Sequence, residues 1–356
     1  MTTGDVLVGR ARWSVDCADV LAWLRALPAD SCDLLFSSPP YTGARSYLEA
    51  GRDLGIARDA EAWTAWMVEI TLEALRVCKG LVAWVVEGQT KDYCWDATPL
   101  LLGADLVRRG VCLRRPCYYR RGGIPGSGGP DWFRCDAEII LCCTRGGKLP
   151  WADAAVCGHP PRWAPGGAMS HRLKNGARRN EWGDVVGEDG QSKSQRNHGD
   201  ELGWRKKHTK ARRRPAAGDV MEEQSYTPPV LANPGTVINE IYTAQQVDEL
   251  LGFLSEFTDC HVGGGRMGDG DKFSRGNEAP FPEALPTRFV RSFCQPGGIV
   301  CDPFVGSGTT GHVSIDWGRR FIGCDLRQSQ VDLARRRLSG VTPPLPGLFG
   351  DETLKS

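Results

Sequence analysis

Two stretches of this chain carry side chains whose types and spacing suit chemistry. Ser38-Pro39-Pro40-Tyr41 closes the run Asp33-Leu34-Leu35-Phe36, which is short, apolar and bounded by polar residues, and so reads as a buried strand. Two prolines stop it, because neither can donate to a sheet ladder. The Ser38 hydroxyl, nearby carbonyls and an aromatic ring are thereby presented at the strand's carboxyl end, the edge where open α/β sheets place their crevice. Acceptors beside a flat ring suit a planar base bearing an amino group. The second stretch, Asp302-Pro303-Phe304-Val305-Gly306-Ser307-Gly308-Thr309-Thr310-Gly311, follows a strand and opens a helix. Gly306 and Gly308 permit positive φ and close approach of backbone to ligand. About twenty residues on, Asp325 closes the next strand, where an acid holds both ribose hydroxyls.

Gly306, Gly308 and Gly311 satisfy the G-x-G-x-x-G dinucleotide fingerprint, with its acid at the right distance. Any adenosine-bearing ligand uses the same strand, turn and helix, however. Asp302 is a poor neighbour for a pyrophosphate and suits a cation, such as the amino group or sulfonium of S-adenosylmethionine. A tight βα turn without a ligand is the remaining alternative.

Alternating strand-like and helix-like segments over residues 10–150 predict βα units and a mainly parallel sheet. Trp63, Trp66, Met67, Ile70 and Leu75 recur at roughly helical spacing before a strand over Leu81–Val86. Thr98-Pro99 reads as the cap and first turn of a helix reaching about Arg109, and Ala137–Cys143 as a further strand. From about 151 to 235 the periodicity fails, and residues 171–214 hold thirteen Lys/Arg against six Asp/Glu. Beyond it, Thr243 and Gln246 have capping-box spacing for a helix carrying Val247, Leu250, Leu251, Leu254 and Phe257 on one face. A glycine-rich stretch, 263–270, reads as a loop. Strand–helix grammar returns over 280–340: a helix over Leu285–Cys294, a strand over Ile299–Asp302, a helix over Thr309–Trp317, a strand over Arg320–Cys324 and a last helix over Gln328–Leu338.

The net charge of +1 does not announce nucleic acid, so any basic surface must be local. No segment is long and apolar enough to span a membrane, and the amino end lacks the apolar core of a signal peptide. A soluble, cytoplasmic protein is expected. Of fourteen cysteines, Cys32, Cys142, Cys143, Cys301 and Cys324 sit in or beside apolar strand-like runs, where thiols behave as small buried hydrophobes. No C-x-x-C occurs, and Cys157-x-His159 and Cys260-His261 each lack the other half of a zinc site, so no metal is expected.

Ser38-Pro39-Pro40-Tyr41 near the amino end and Asp302–Gly308 near the carboxyl end together resemble the β class of DNA amino-methyltransferases. In that family a [DNS]-P-P-[YFW] tetrapeptide precedes the glycine motif. The likeness extends to Pro280-Phe281-Pro282-Glu283-Ala284-Leu285-Pro286 and to Val15-Asp16-Cys17, and departs at Asn277-Glu278, where the family often has a His. It implies a Rossmann-like α/β fold, a mostly parallel sheet with helices on both faces, carrying an irregular basic insertion. Residues 10–150 would be the catalytic half, 151–274 a target-recognition insertion, 275–340 the cofactor half and 341–356 a tail.

The resemblance also implies roles. Phe304, Gly306, Gly308 and Thr309 would line S-adenosylmethionine, with Asp302 near its amino group and Asp325 on the ribose. Asp16 would lie near the adenine amine or else cap a helix, and Pro280 and Phe281 would wall the pocket. Ser38 Oγ and the Pro39 carbonyl would accept the amine protons of a base flipped from double-stranded DNA, with Tyr41 stacking on it and Pro40 completing the catalytic tetrapeptide. Tyr118 and Tyr119 are candidates for the second stacking face, or ordinary strand residues. Arg205, Lys206, Lys207, Lys210, Arg212, Arg213 and Arg214 would meet phosphates, or else form a solvated charged loop. Serine in the first position favours cytosine N4 over adenine N6. A dinucleotide-dependent oxidoreductase and a catalytically silent DNA-binding module are the competing classes.

Overall fold

The short apolar runs read from the sequence form a sheet buried on both faces. The computed structural model describes residues 2–42, 48–49, 52–53, 59–120, 131, 133, 135, 137–158, 237–239 and 281–341. In order these form α1 (Thr3–Leu7), β1 (Trp13–Cys17), α2 (Val20–Ala26), β2 (Cys32–Ser37), the short pair β3 (Leu48–Glu49) and β4 (Arg52–Asp53), α3 (Ala60–Val77) and β5 (Cys78–Val86). There follow the hairpin β6 (Thr90–Lys91) and β7 (Cys94–Trp95), α4 (Thr98–Arg108), β8 (Cys112–Leu113), β9 (Cys117–Arg120), β10 (Ala137–Thr144) and β11 (Val237–Asn239). The last elements are α5 (Ala284–Phe293), β12 (Ile299–Asp302), α6 (Thr309–Asp316), β13 (Arg320–Asp325) and α7 (Gln328–Ser339). The chain divides into two units, Met1–Cys157 with Asn233–Ser356, and Gly158–Ala232; every element named here belongs to the first.

The principal sheet runs β1-β13-β12-β2-β5-β10-β9-β11, with β8 on β10. From β1 to β5 all neighbours are parallel. β10 is antiparallel to both β5 and β9, since it starts at the edge where β9 ends and runs back. Within β2 and β5, Leu34, Phe36, Leu81, Ala83 and Val85 face a core completed by Leu285 and Phe289 of α5, Val313 of α6 and Val331 of α7. Leu35, Val82, Trp84 and Val86 face the other core, with Trp23 of α2, Trp63 and Met67 of α3 and Leu102 of α4. Strands buried on both sides read as near-continuous apolar runs, which is why the sequence shows them plainly.

Helix starts follow local chemistry. Asp59 accepts the Ala62 N–H at 2.7 Å ahead of α3, and Asp19, not Asp16, caps α2 by accepting from Ala22 N–H at 3.0 Å. Thr98 does not cap α4: it is already helical, Ala97 before it has φ 51°, and Asp96 accepts the Thr98 N–H at 3.2 Å. The buried thiols of Cys32, Cys143, Cys301 and Cys324 are all pushed up by burial, as expected of small core hydrophobes. The helix expected over 243–257, the loop over 263–270 and the tail from 342 lie outside the described residues.

Gly311 holds α6 against β13: a Cβ there would lie 2.7 Å from Phe321 Cε1 and 3.1 Å from Leu338 Cδ1. Gly311→Ala gains at most about 1 kcal/mol in helix propensity. Overpacking a well-filled core costs about 1–3 kcal/mol, and here the obstacle is a ring already fully buried. The clash wins, so the variant is expected to unfold at lower urea with an unchanged m-value. An unchanged midpoint would show that α6 can move away from the sheet freely.

Candidate active site

Between β12 and β2 the chain order reverses, with β13 and β1 leading one way and β5 and β10 the other. Open α/β sheets bind ligands at the carboxyl ends of strands beside such a switch. Both chemically suggestive stretches meet there. Ser37, the last residue of β2, donates from Oγ to Asp302 Oδ1, at the end of β12, across 2.5 Å. The two residues are 265 positions apart and buried, at 0% and 1% exposure.

On the β2 side, Pro39 is buried, while Ser38, Pro40 and Tyr41 are partly exposed. Trp63 Nε1 donates to the Pro40 carbonyl at 2.7 Å, locking the turn onto α3. Thr42 donates to Asp96, and Asp96 also accepts from the Thr98 hydroxyl at 3.1 Å, so the turn is tied to the start of α4 as well. Ser38 Oγ donates to Tyr41 Oη at 3.4 Å, and Tyr41 Oη donates to Glu138 Oε2 at 3.2 Å. Glu138 comes from β10, whose first residues lie on the same edge because that strand runs backwards.

On the β12 side, Asp302 Oδ1 also accepts the Phe304 N–H at 3.1 Å. Burial pushes the Asp302 carboxyl up to about 6, despite the bonds that Ser37 and Phe304 donate to it. Gly308 has φ 81°, and a Cβ there would crowd Ala334 of α7 at 3.1 Å, so only glycine fits this turn without strain. The Asp325 carboxylate is aimed by backbone, Oδ2 accepting from Gly306 N–H at 3.1 Å and Oδ1 from Arg327 N–H at 2.9 Å. Phe304, partly exposed, meets Trp66 and Trp84 edge-on at 5.7 and 6.2 Å between centroids. Thr309 faces inward, its hydroxyl accepting from Arg337 Nη1 at 3.0 Å. Phe281 stands edge-on to Phe36 at 5.8 Å and packs with the core beneath α5, on the sheet face opposite the one that Phe304 joins. Just after it, burial alone would raise Glu283, but His312 and Arg337 overcome this and hold its carboxyl at about 2. That cluster ties the start of α5 to α6 and α7.

The structure separates other residues nominated from the sequence. Asp16 sits at the end of β1, its Oδ2 accepting from Thr3 Oγ1 at 2.6 Å and Trp23 Nε1 at 2.9 Å. Tyr119 is 2% exposed within the core and pairs in register with Glu138, which corrects its nomination as a stacking face; the pleat turns only Tyr118 outward, at 40%. Pro280 and the cluster Arg205, Lys206, Lys207, Lys210, Arg212, Arg213 and Arg214 lie outside the described residues. Sequence reasoning missed Ser37, Asp96, Glu138 and Glu87. Glu87 follows β5, and burial first, then the neighbouring Glu138 charge, raise its carboxyl. The signal for Glu138 was a lone acid at the head of an apolar strand. Tyr93, 76% exposed at the tip of the β6–β7 hairpin, is a further exposed ring following β5.

A Rossmann-like α/β sheet with an S-P-P-Y turn and a glycine turn facing each other across the switch point defines the class. The family model for the N6/N4 DNA methylases matches residues 32–336, and the chain belongs to that family. Over 57 residues it is 47% identical to the DNA adenine methyltransferase YhdJ of Escherichia coli (strain K12), covering 16% of this chain and 19% of that one. Over 62 residues it is 40% identical to the type II methyltransferase M.HinfI of Haemophilus influenzae, covering 17% of each. These matches thus span about a fifth of the relatives' lengths. The solved structure of the PvuII DNA methyltransferase (cytosine-N4-specific) shares the fold with TM-score 0.56 at 13% identity, over 93% of this chain and 89% of that one. Family membership sets aside the dinucleotide-oxidoreductase reading of Gly306–Gly311. Among the described residues no helix is long and apolar enough to cross a membrane.

Proposed function

We propose that this protein transfers a methyl group from S-adenosylmethionine to the exocyclic amine of a base flipped out of double-stranded DNA, with cytosine N4 the favoured acceptor. The observation that carries this reading is the Ser37–Asp302 bond, because it joins the end of the S-P-P-Y strand to the start of the glycine turn. S-adenosylmethionine supplies a methyl already activated by its sulfonium. The donor set suits that ligand: Asp302 is a buried carboxylate for its ammonium, and Asp325 is a carboxylate aimed by two backbone N–H groups, as a ribose-binding acid at a strand end must be. In this reading Phe304, Gly306, Gly308 and Thr309 line the ligand and Pro280 and Phe281 wall it. Asp16 meets the adenine amine through Oδ1, which among the described residues accepts from Ser14 Oγ at 3.4 Å.

Ser38 Oγ and the Pro39 carbonyl accept the amine protons, so the nitrogen lone pair is drawn out of the ring and aimed at the methyl carbon. Tyr41 stacks on the base, and Tyr118 offers an exposed ring for the other side. Residues 151–274 act as the target-recognition insertion, its basic cluster contacting phosphates, which position without specifying sequence. Adenine N6 is the second acceptor, favoured by the short but high identity to YhdJ. Incubating unmethylated mixed-sequence DNA with protein and S-adenosylmethionine, then identifying nucleosides by mass spectrometry, decides the matter. N4-methylcytosine is expected; N6-methyladenine alone would reassign the base, and 5-methylcytosine or no product would sink the mechanism.

A pH dependence follows from Asp302. A cationic ligand binds the carboxylate form, so affinity is expected to fall as pH drops through about 6, becoming about tenfold weaker per unit below that. Fold stability moves the other way. Because the folded value exceeds the ordinary 3.8, the fold binds more protons in that window, and the group's contribution is lost as pH rises through about 6. Calorimetric titration of S-adenosylmethionine at pH 5 and 7.5 checks it; equal affinities would separate Asp302 from the ligand's charge.

A further inference from the structure

We propose that Ser38, Tyr41 and Glu138 form a directed hydrogen-bond relay that receives the proton released by the target amine and ends on Glu138. The inference rests on the methyl-transfer reading above and deepens it. Two contacts build the relay, Ser38 Oγ to Tyr41 Oη at 3.4 Å and Tyr41 Oη to Glu138 Oε2 at 3.2 Å. Both are long for O–H···O bonds, as catalytic hydrogen bonds often are before substrate binds. Glu138 is only 7% exposed, and β10 delivers it to this edge by running antiparallel to β5.

Direction is what the relay contributes. A carboxylate can only accept, so Tyr41 must donate to it and is left to accept from Ser38. Ser38 then spends its single proton on Tyr41 and presents lone pairs towards the substrate. A hydroxyl that could rotate freely would offer an amine a proton part of the time. The phenol oxygen therefore does something a plain ring does not, and the family tetrapeptide, which also admits Phe and Trp in that position, needs only the ring for stacking.

The same contacts carry a proton away. As the nitrogen–carbon bond forms, the carbon–sulfur bond breaks and its electron pair stays on sulfur, leaving nitrogen cationic. Nitrogen gives a proton to Ser38 Oγ, Ser38 passes its own to Tyr41 Oη, and Tyr41 passes its own to the Glu138 carboxylate. Ser38 and Tyr41 end neutral and Glu138 protonated, to be discharged to water before the next turnover. Glu138 acts through Tyr41 and is a positioning residue and terminal acceptor, and it touches no substrate atom.

Single-turnover methylation of unmethylated mixed-sequence DNA, with labelled S-adenosylmethionine and protein in excess, tests this. Tyr41→Phe and Glu138→Gln are each expected to slow the chemical step by about tenfold or more, with affinities for DNA and S-adenosylmethionine unchanged. The double variant is expected to be no slower than the slower single, because the two act as one unit. Wild-type protein should also slow in D2O, and Tyr41→Phe should lose that sensitivity. A Tyr41→Phe variant at the wild-type rate, or singles whose effects multiply in the double, would overturn the relay. Should Glu138→Gln not fold, Tyr41→Phe, which keeps ring and shape, decides alone. No transfer by wild-type protein would refute the methyl-transfer reading itself; transfer by wild type with an unaffected Tyr41→Phe refutes only the relay.

Discussion

Ser38→Ala is expected to slow single-turnover methyl transfer about a hundredfold or more while leaving the dissociation constant for S-adenosylmethionine within about twofold. Removing one preorganised polar group that meets developing charge costs about 10²–10³ in rate in comparable sites. Ser38 has that standing under the proposed mechanism: its hydroxyl accepts from the amine and is oriented from behind by Tyr41. Cofactor affinity is spared because the structural bridge to the glycine turn comes from Ser37, not Ser38. The turn keeps its shape as well, since Trp63 holds the Pro40 carbonyl and Thr42 is tied to Asp96. Rapid-quench methylation and calorimetry check the two halves separately. A rate within threefold of wild type removes Ser38 from the chemistry, and a joint loss of rate and affinity shows that the turn had collapsed.

Asp302→Asn is expected to weaken S-adenosylmethionine binding by about a hundredfold without lowering the melting temperature near neutral pH. Leaving the partner charge of a buried, hydrogen-bonded pair without its counterpart costs about 2–5 kcal/mol. The fold itself loses little. Asparagine keeps an oxygen to accept from Ser37 Oγ and the Phe304 N–H. Burial already disfavours the charged carboxyl, pushing it up to about 6, so a neutral side chain relieves that penalty. Calorimetric titration and thermal melts of the free protein give both numbers. The variant should also lose the fall in affinity between pH 7.5 and 5, and a pH profile that survives the substitution would assign it to another group.

Much of this architecture is legible in the amino-acid sequence. The helices over Ala60–Val77 and Gln328–Ser339 and the strands Ile299–Asp302 and Arg320–Asp325 lie where spacing placed them, because amphipathic period and turn chemistry are local properties. The departures have tertiary causes. A strand before a tight turn does not reveal its partner, so the antiparallel placement of β10 was hidden in Ala137–Cys143. Consecutive tyrosines look alike in a sequence, yet the pleat buries Tyr119 and exposes Tyr118. Asp16 reads as a strand-end acid in either role, and only the approach of Thr3 and Trp23 shows how its carboxylate is held.

The sequence alone determined the chemistry on offer, since an S-P-P-Y turn and a glycine turn each owe their shape to their own residues: proline's missing N–H in one, glycine's tolerance of positive φ in the other. Tertiary structure decided what those pieces act upon together. Ser37 meets Asp302 across 265 positions because parallel pairing sets β2 beside β12. Tyr41 meets Glu138 across 97 because an antiparallel strand returns an acid to the same edge. Strand order and direction follow from the best burial of a whole sheet between two helical layers, and no short window of residues contains that sum.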